Sequence, residues 1–303
     1  MGETSDPPVT LGALLARARQ LLIGADLEDA ALEARLLVEH FTGTDRTAAL
    51  SDPDRLIAAA QVRDVMAALQ RRASGVPVHR IIGQRDFHGV TLKLSRETLD
   101  PRPDTEALVD LVLPALAGMA RESECRILDL GTGTGAIALA LLKEMARACA
   151  VGTDIQPGAL ETAAANADLN GLGERFEARL SNWFESVDGR FHAIVSNPPY
   201  IPINQIETLS REVREHDPIE ALDGGADGLD AYRTIAARAA DFLEPGGIVA
   251  VEIGHDQRQS VAKLFEDCGY ALIGQSADLG GRDRALMFVP RGSDASAAKR
   301  AWQ

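Results

Sequence analysis

Basic residues, cysteines, aromatics and long apolar runs are all scarce in this 303-residue chain, and each scarcity removes a class of function. Lys and Arg total 31 against 45 Asp and Glu, for a formal net charge of −14. A protein that holds duplex DNA by its phosphates needs a basic footprint, so stable nucleic-acid binding is not expected. The three cysteines, Cys125, Cys149 and Cys268, are odd in number, widely spaced and form no CxxC pair. That argues against a disulfide framework or a structural zinc site and for a reducing cytoplasm. The six histidines are scattered without ligand spacing, so no metal is expected. The N-terminus lacks an apolar signal core and no run approaches membrane-spanning length, so a soluble monomer with no membrane partner is expected. Aromatics make up 4% and hydrophobic residues 46%, which leaves ample material for a largely aliphatic core.

The apolar residues that are present change their spacing along the chain. From about Thr10 to Ser74 the pattern is helical: Leu11, Leu14, Leu15 and Ala18 share one face, and Ala30, Leu32, Leu36, Leu37 and Phe41 share another. A third stretch runs from Leu56 to Leu69, and no strand signal interrupts the three, which predicts a small helical bundle. Gly75 and Pro77 break it, and Val78 to Leu94 carries β-type residues around Asp86-Phe87-His88-Gly89, predicting a hairpin that connects two domains. From Asp100 onward strands and helices alternate. Strands are expected at Arg126–Leu130, Cys149–Ile155, Phe176–Leu180, Phe191–Val195, Ile248–Ile253, Ala271–Ala277 and Arg284–Val289, the fifth entered through a turn at Pro245-Gly246-Gly247. This alternation predicts an α/β domain with a doubly wound, mostly parallel seven-stranded sheet; the last two strands, joined through Gly280-Gly281, form a hairpin. The boundaries that follow are 1–75 helical domain, 76–99 hairpin linker, 100–291 α/β domain and 292–303 disordered tail.

Two motifs carry chemistry. After the first strand of the α/β domain, Gly131-Thr132-Gly133-Thr134-Gly135 offers closely approachable backbone and a helix N-terminus to a ligand. Gly131, Gly133 and Ala136 also satisfy the GxGxxA dinucleotide fingerprint, and Asp154-Ile155 at the end of the next strand suits the ribose of a dinucleotide or of S-adenosylmethionine equally. Asp129 favours the latter, because a carboxylate there would repel a pyrophosphate and attract the ammonium of a methionine moiety. Asn182-Trp183-Phe184 follows the third strand, where Trp183 can pack on adenine with Asn182 on its amine, or can be a core tryptophan.

The second motif is Asn197-Pro198-Pro199-Tyr200, which leaves the fourth strand in a stiff turn, because its two prolines cannot continue a sheet ladder. An amide carbonyl and a proline carbonyl there can accept both hydrogens of a planar NH2 group while the Tyr200 ring packs on its face. An amide nitrogen is a poor nucleophile, and these acceptors favour the positive charge it gains as a bond forms. Together the motifs predict methyl transfer to a planar nitrogen, needing neither a triad nor a metal. Pro103 and Asp104 suit a helix start, whereas Arg102 and Glu106 are open between structural and crevice-lining roles. The Asp223-Gly224-Gly225-Ala226-Asp227-Gly228 segment reads as a turn cluster and lacks the glutamate of a calcium loop.

These pieces resemble the release factor glutamine N5-methyltransferases, the PrmC/HemK family. The likeness runs through Gly75-Val76-Pro77-Val78, Ile82-Gly83, Phe87, Pro101-Arg102-Pro103-Asp104-Thr105-Glu106, Ile127-Leu128-Asp129-Leu130, Ser181 to Phe184, Ile194 to Ile201 and Glu220-Ala221-Leu222. The NPPY tetrapeptide alone is shared with adenine-N6 DNA methyltransferases; the RPDTE segment at this spacing from it is more specific. The resemblance implies a class I methyltransferase domain behind a helical domain, S-adenosylmethionine as cofactor, and the glutamine of the Gly-Gly-Gln loop of peptide chain release factors as substrate. It places Gly131, Gly133, Asp154, Trp183 and Asn197 at the cofactor and Asn197, Pro198, Pro199 and Tyr200 at the substrate. Asn182 departs from the family, whose members often carry aspartate there. The competing readings are adenine methylation in DNA, which the net charge of −14 disfavours, and a non-catalytic cofactor-binding partner of translation.

Overall fold

The computed structural model describes residues 8–119 and 125–292, which divide into two compact units, 1–83 and 84–303. The expected tail, Ser293 to Gln303, lies outside the described residues. Among the described residues, no helix is long and apolar enough to cross a membrane.

The first unit is helical. A two-residue strand β1 (Val9–Thr10) precedes α1 (Leu11–Gly24), α2 (Ala30–Thr42) and α3 (Arg46–Ser51); β2 (Leu56–Ile57) leads to α4 (Ala59–Ala73) and α5 (Val78–Ile82). Leu11, Leu14, Ala18 and Leu22 form the buried stripe of α1, whose start is capped by the Thr10 hydroxyl accepting from the Ala13 N–H. The buried Arg72 of α4 donates from Nε to Glu33 of α2 at 2.7 Å. Two expectations are corrected in this unit. Leu56 and Ile57 are not helical but pair with Val9 and Thr10 in antiparallel fashion. Val78–Ile82 is a short helix, not the first arm of a hairpin. Its β-branched residues gain more by burying Val78 and Ile81, one helical turn apart, in the helical core than by extended geometry.

The second unit opens with the hairpin β3 (Gln84–Phe87) and β4 (Val90–Lys93) and continues through α6 (Glu106–Met119), β5 (Cys125–Leu130), α7 (Ala136–Glu144), β6 (Ala148–Asp154), α8 (Pro157–Leu169), β7 (Phe176–Leu180) and β8 (Phe191–Ser196). Then come α9 (Arg211–His216), α10 (Asp230–Arg238), β9 (Leu243–Glu252), α11 (Arg258–Asp267), β10 (Tyr270–Ala277) and β11 (Asp283–Pro290). Seven strands form one sheet in the order β10-β11-β9-β8-β5-β6-β7. Only β11 runs antiparallel to its neighbours, as the Gly280-Gly281 turn predicts. Successive strand residues alternate between two apolar layers: Ile127, Ala193 and Val195 face one, Leu128, Leu130 and Ile194 the other. The turn expected at Pro245-Gly246-Gly247 is instead inside β9, where a register shift opposite Phe191 and Ala193 absorbs the positive φ of Gly246. This is the class I methyltransferase arrangement.

The hairpin belongs to this second unit. Phe87, Val90 and Leu92 are buried in one apolar layer of the sheet. Its outer strand is held by Asn166 of α8 and by Asn170 at the C-cap of that helix. Asn170 accepts from the Thr91 N–H at 3.1 Å and donates to its carbonyl at 2.8 Å; Asn166 does the same for Lys93 at 2.8 and 3.1 Å. Four residues of helix advance about 6 Å and two of strand about 6.6 Å, so side chains spaced four apart match backbone groups spaced two apart. Asn166 also donates to the Thr134 carbonyl at 2.9 Å, tying the hairpin to the glycine loop. Asn166→Leu keeps the branched shape but strands three polar groups beside a fully buried site. It should cost about 3 kcal/mol in urea unfolding, most of it desolvation of the orphaned groups.

Candidate active site

The strand order reverses at β5. From there the chain builds outward through β6 and β7, then returns to add β8 on the other side. A crevice opens at the carboxyl ends of strands at such a switch point, because the loops leaving the two neighbours diverge. Leu130 pairs with Ser196, so Gly131 and Asn197 are the next residues out of the sheet on adjacent strands. The Ser196 hydroxyl pins the two ends by donating to the Leu130 carbonyl at 2.7 Å. The glycine loop and the proline corner thus open into one cleft, about 1020 Å³ including its mouth.

One wall of the cleft is Gly131, Thr132, Gly133 and Thr134; Asp154, Ile155 and Gln156 form the next. Gly131 and Gly133 have φ of 68° and 54°, and the space a Cβ would take is open. A ligand can therefore approach the backbone closely. Gly135 lies at the N-cap of α7 and off the cleft wall, where a Cβ would press on Leu139. Asp154 accepts from the Gly133 N–H at 3.0 Å and the Gln156 N–H at 2.9 Å. Burial raises its pKa and these two donors pull it back. Each oxygen retains a lone pair for a hydroxyl donor.

Asp129 is not on the wall. It is fully buried beneath the loop, where one oxygen accepts from the Thr132 hydroxyl at 2.7 Å and the Ala138 N–H at 3.4 Å. It lies on the α7 side of the sheet because strand alternation turns residue 129 to the face of Ile127. Burial pushes its carboxyl up to about 7. Its visible work is to hold the loop and the first turn of α7, and among the described residues its other oxygen has no partner.

Ser181, Asn182 and Trp183 close the far end of the cleft. Trp183 is half-buried at φ 52°, a backbone region that costs a bulky residue ~1–3 kcal/mol. The Ser181 hydroxyl, donating to the Trp183 carbonyl at 2.9 Å and accepting from the Ser186 N–H, fastens that turn. Asn182 donates from Nδ2 to Glu185 at 3.0 Å, which leaves its carbonyl oxygen as a free acceptor edge.

At the proline corner, Asn197 and Pro199 line the cleft, while Pro198 is buried and Tyr200 lies off the wall against the second apolar layer. Asn197 Nδ2 donates to the Thr105 hydroxyl at 3.3 Å, turning Oδ1 away from Thr105. Burial, and Glu252 nearby, push the Tyr200 phenol up to about 12, so the ring is neutral. The corner is braced by the Asp223–Gly228 turn. Ile201 exchanges backbone bonds with Leu222 and Gly224 at 3.0 and 2.9 Å, and Gln257 donates to the carbonyls of Tyr200 and Gly228. A Cβ on Gly228 would collide with the Tyr200 carbonyl oxygen. The turn cluster is therefore the clamp of the corner.

Arg102 and Glu106 both turn out structural: Arg102 pairs with Asp217 at 2.6 Å, and Glu106 accepts from the His88 N–H at 3.0 Å. Their neighbours Pro101 and Thr105 line the cleft instead, joined by Glu97 and Leu99 before them and Pro218 and Glu220 after the corner. Reasoning from motifs missed these, because a 3₁₀ turn at Pro103–Thr105 and a loop 20 residues past the corner reach the cleft by tertiary folding.

Comparison with known proteins agrees with this geometry. The PrmC N-terminal domain matches residues 13–83 and the methyltransferase small domain residues 105–212. The release factor glutamine methyltransferase of Agrobacterium fabrum is 53% identical over 280 residues, covering 92% of this chain and 97% of that one. That of Rhodospirillum rubrum is 43% identical, covering 94% and 86%. Among solved structures, the hMettl16 catalytic domain in complex with MAT2A 3′UTR hairpin 6 superposes with a TM-score of 0.54 at 14% identity, over 80% of this chain and 86% of that one, a likeness of fold. With a methyltransferase domain behind a PrmC-type helical unit and relatives matched over nine-tenths of its length, the chain belongs to the release factor glutamine methyltransferase family.

Proposed function

We propose that this protein methylates the side-chain amide nitrogen of the glutamine in the Gly-Gly-Gln loop of peptide chain release factors, using S-adenosylmethionine. The observation that carries it is the pairing of Leu130 with Ser196, which sets an acceptor-only edge of Asn197 beside a glycine loop at one cleft. The cleft residues fit the cofactor: open backbone at Gly131 and Gly133, a carboxylate at Asp154 with lone pairs for ribose hydroxyls, an aromatic plane at Trp183 and an acceptor at Asn182 for an adenine amine. When bound, S-adenosylmethionine supplies a methyl group already activated on a sulfonium.

The protein's own work is placement. Asn197 Oδ1 and the Pro198 carbonyl accept the two amide N–H bonds and hold the nitrogen in line for attack. As the nitrogen loses planarity its hydrogens become more acidic, so both acceptors bind the transition state more tightly than the ground state. Tyr200, neutral and packed against the second apolar layer, lies off the cleft wall and supports the corner from behind instead of lying on the amide. The two glycines that precede the target glutamine admit the backbone of the loop to a narrow site. The excess proton leaves to water.

Asn197→Ala should lower methyl transfer to release factor about 100-fold or more with unchanged unfolding midpoint, the cost of one transition-state acceptor. Tritiated cofactor with either release factor or duplex DNA measures it in the wild type, and label appearing only in DNA would overturn the substrate. Asp154→Ala should weaken S-adenosylhomocysteine binding in calorimetry by roughly tenfold or more, since a carboxylate accepting from hydroxyls contributes ~1.5–3 kcal/mol. Unchanged binding would remove Asp154 from the ribose.

A further inference from the structure

Trp183 and the half-exposed Ile155 give the cleft two apolar surfaces suited to the faces of a planar base. Such faces do not choose among purines, because every base has a π-face. Adenine carries an amine at C6 where hypoxanthine carries a carbonyl, and the two are nearly equal in size. Only a group of fixed hydrogen-bonding direction at the ring edge can tell them apart. Asn182 lines the cleft beside Trp183, but a side-chain amide has two nearly isosteric edges of opposite sense. It reads a 6-amino group only if its oxygen is held toward the ligand.

Glu185 does the holding. Asn182 Nδ2 donates to Glu185 Oε1 at 3.0 Å. A carboxylate accepts and cannot donate, so the edge that meets it is the NH2 edge; turning the amide over would set oxygen against oxygen. Glu185 is not spent on a salt bridge among the described residues, since Arg179 goes to Glu177 and Asp188. The turn that brings the two side chains together has its own supports. The Glu185 N–H donates to the Asn182 carbonyl at 3.2 Å, and the Ser181 hydroxyl bridges the Trp183 carbonyl and the Ser186 N–H at 2.9 Å each. Phe184, between the pair, is buried with its ring stacked on Phe242 at a centroid distance of 4.9 Å. Both side chains of the pair are exposed, but their backbones are already fixed, so little freedom is lost in making the bond. A base that covers Asn182 removes the water that could serve either edge, and the direction of the amide then decides which base is held.

We propose that Glu185 is a positioning residue for the nucleobase: it holds the NH2 edge of Asn182, presents the Asn182 oxygen to the cleft, and so selects a 6-amino purine over a 6-oxo purine. The proposal rests on the reading of Asn182 as the acceptor for the adenine amine and adds the group that fixes its direction.

The test is the ratio of calorimetric affinities of the full chain for S-adenosylhomocysteine and for its 6-oxo counterpart, S-inosylhomocysteine. The two ligands carry the same charge, so a change of charge in the protein cancels in the ratio. The wild type should favour the 6-amino ligand about tenfold or more, and Asn182→Leu should remove about tenfold of that preference. Glu185→Lys offers donors and no acceptor, draws the Asn182 oxygen to itself and turns the NH2 edge to the cleft. Its ratio should fall about tenfold, partly through tighter binding of the 6-oxo ligand. Glu185→Gln, able to pair either way, should fall about threefold. Adding Asn182→Asp to Glu185→Lys should restore the preference, because a carboxylate accepts on both edges. A Glu185→Lys ratio within twofold of wild type, beside the fall in Asn182→Leu, overturns the role of Glu185 alone. Equal losses for both ligands, or no recovery with Asn182→Asp, overturn it too, since those mark a disturbed turn. If Glu185→Lys does not fold, a Glu185→Gln ratio equal to wild type overturns the role. An Asn182→Leu ratio equal to wild type overturns the adenine contact and the proposal together. No release factor enters these measurements, so the methyl acceptor stands or falls separately.

Discussion

The structure depends on one register, the parallel pairing of β5 with β8 at the point where strand order reverses. Neither motif is a site by itself. The glycine loop is a cradle that several ligand classes would accept, and the proline corner is a stiff turn with an amide on it. Pairing Leu130 with Ser196 makes their successors neighbours, and the divergence of the two loops leaves the cleft between them. A slip of one residue would turn Ser196 from the Leu130 carbonyl and carry Asn197 to the other face of the sheet, because strand side chains alternate. The alternating apolar residues that forbid that slip therefore specify the chemistry as much as the core.

Most of the polar groups around the cleft are spent on holding it. Asp129 fastens the loop from beneath, Asn166 ties its Thr134 carbonyl to the hairpin, and Gln257 clamps the Tyr200 carbonyl from α11's leading turn. These are buried or part-buried hydrogen bonds, two of the three to backbone carbonyls, and each costs more to leave unmade than to keep. The consequence is a rigid frame. For a reaction whose donor is already activated and whose nucleophile is weak, rigidity in the acceptors is where the protein contributes, since a shift of an ångström loses the alignment.

Much of this was readable from residue order. The Ala/Leu-rich and β-branched runs located all seven sheet strands to within a few residues, save β9, whose Pro245-Gly246-Gly247 entry reads as a turn but is a bulged strand. The motif residues Gly131, Asp154, Trp183 and Asn197 meet at one cleft. What the order of residues conceals is depth and direction. Asp129 and Asp154 are both acids near strand ends, yet the first pairs inside the sheet level with Gly152 and is buried, whereas the second stands two residues further out, at the cleft. Thr105 and Arg102 sit in one short segment, yet a single 3₁₀ turn sends the hydroxyl inward and the guanidinium to Asp217. Val78 and Ile81 look like strand residues until the helical core that buries them is present. Each of these depends on contacts made far along the chain, which local spacing does not encode.

An acceptor made from asparagine carries a built-in ambiguity, and the surroundings of Asn197 are explicable as its remedy. A carboxylate at that position would accept from both amide hydrogens without any need for orientation. It would also add a charge to a corner where Glu252, Asp104 and Asp217 already crowd against two arginines. A neutral amide avoids that desolvation cost but presents two nearly isosteric edges, one of which repels the substrate. The choice between the edges is made by what the NH2 edge meets. The Thr105 hydroxyl accepts from Asn197 Nδ2 at 3.3 Å, and it is brought there by a 3₁₀ turn 92 residues earlier in the chain. Holding the donor edge on that hydroxyl leaves the oxygen edge for the substrate amide, so the corner takes its direction without a charge that would have to be desolvated beside the reacting nitrogen.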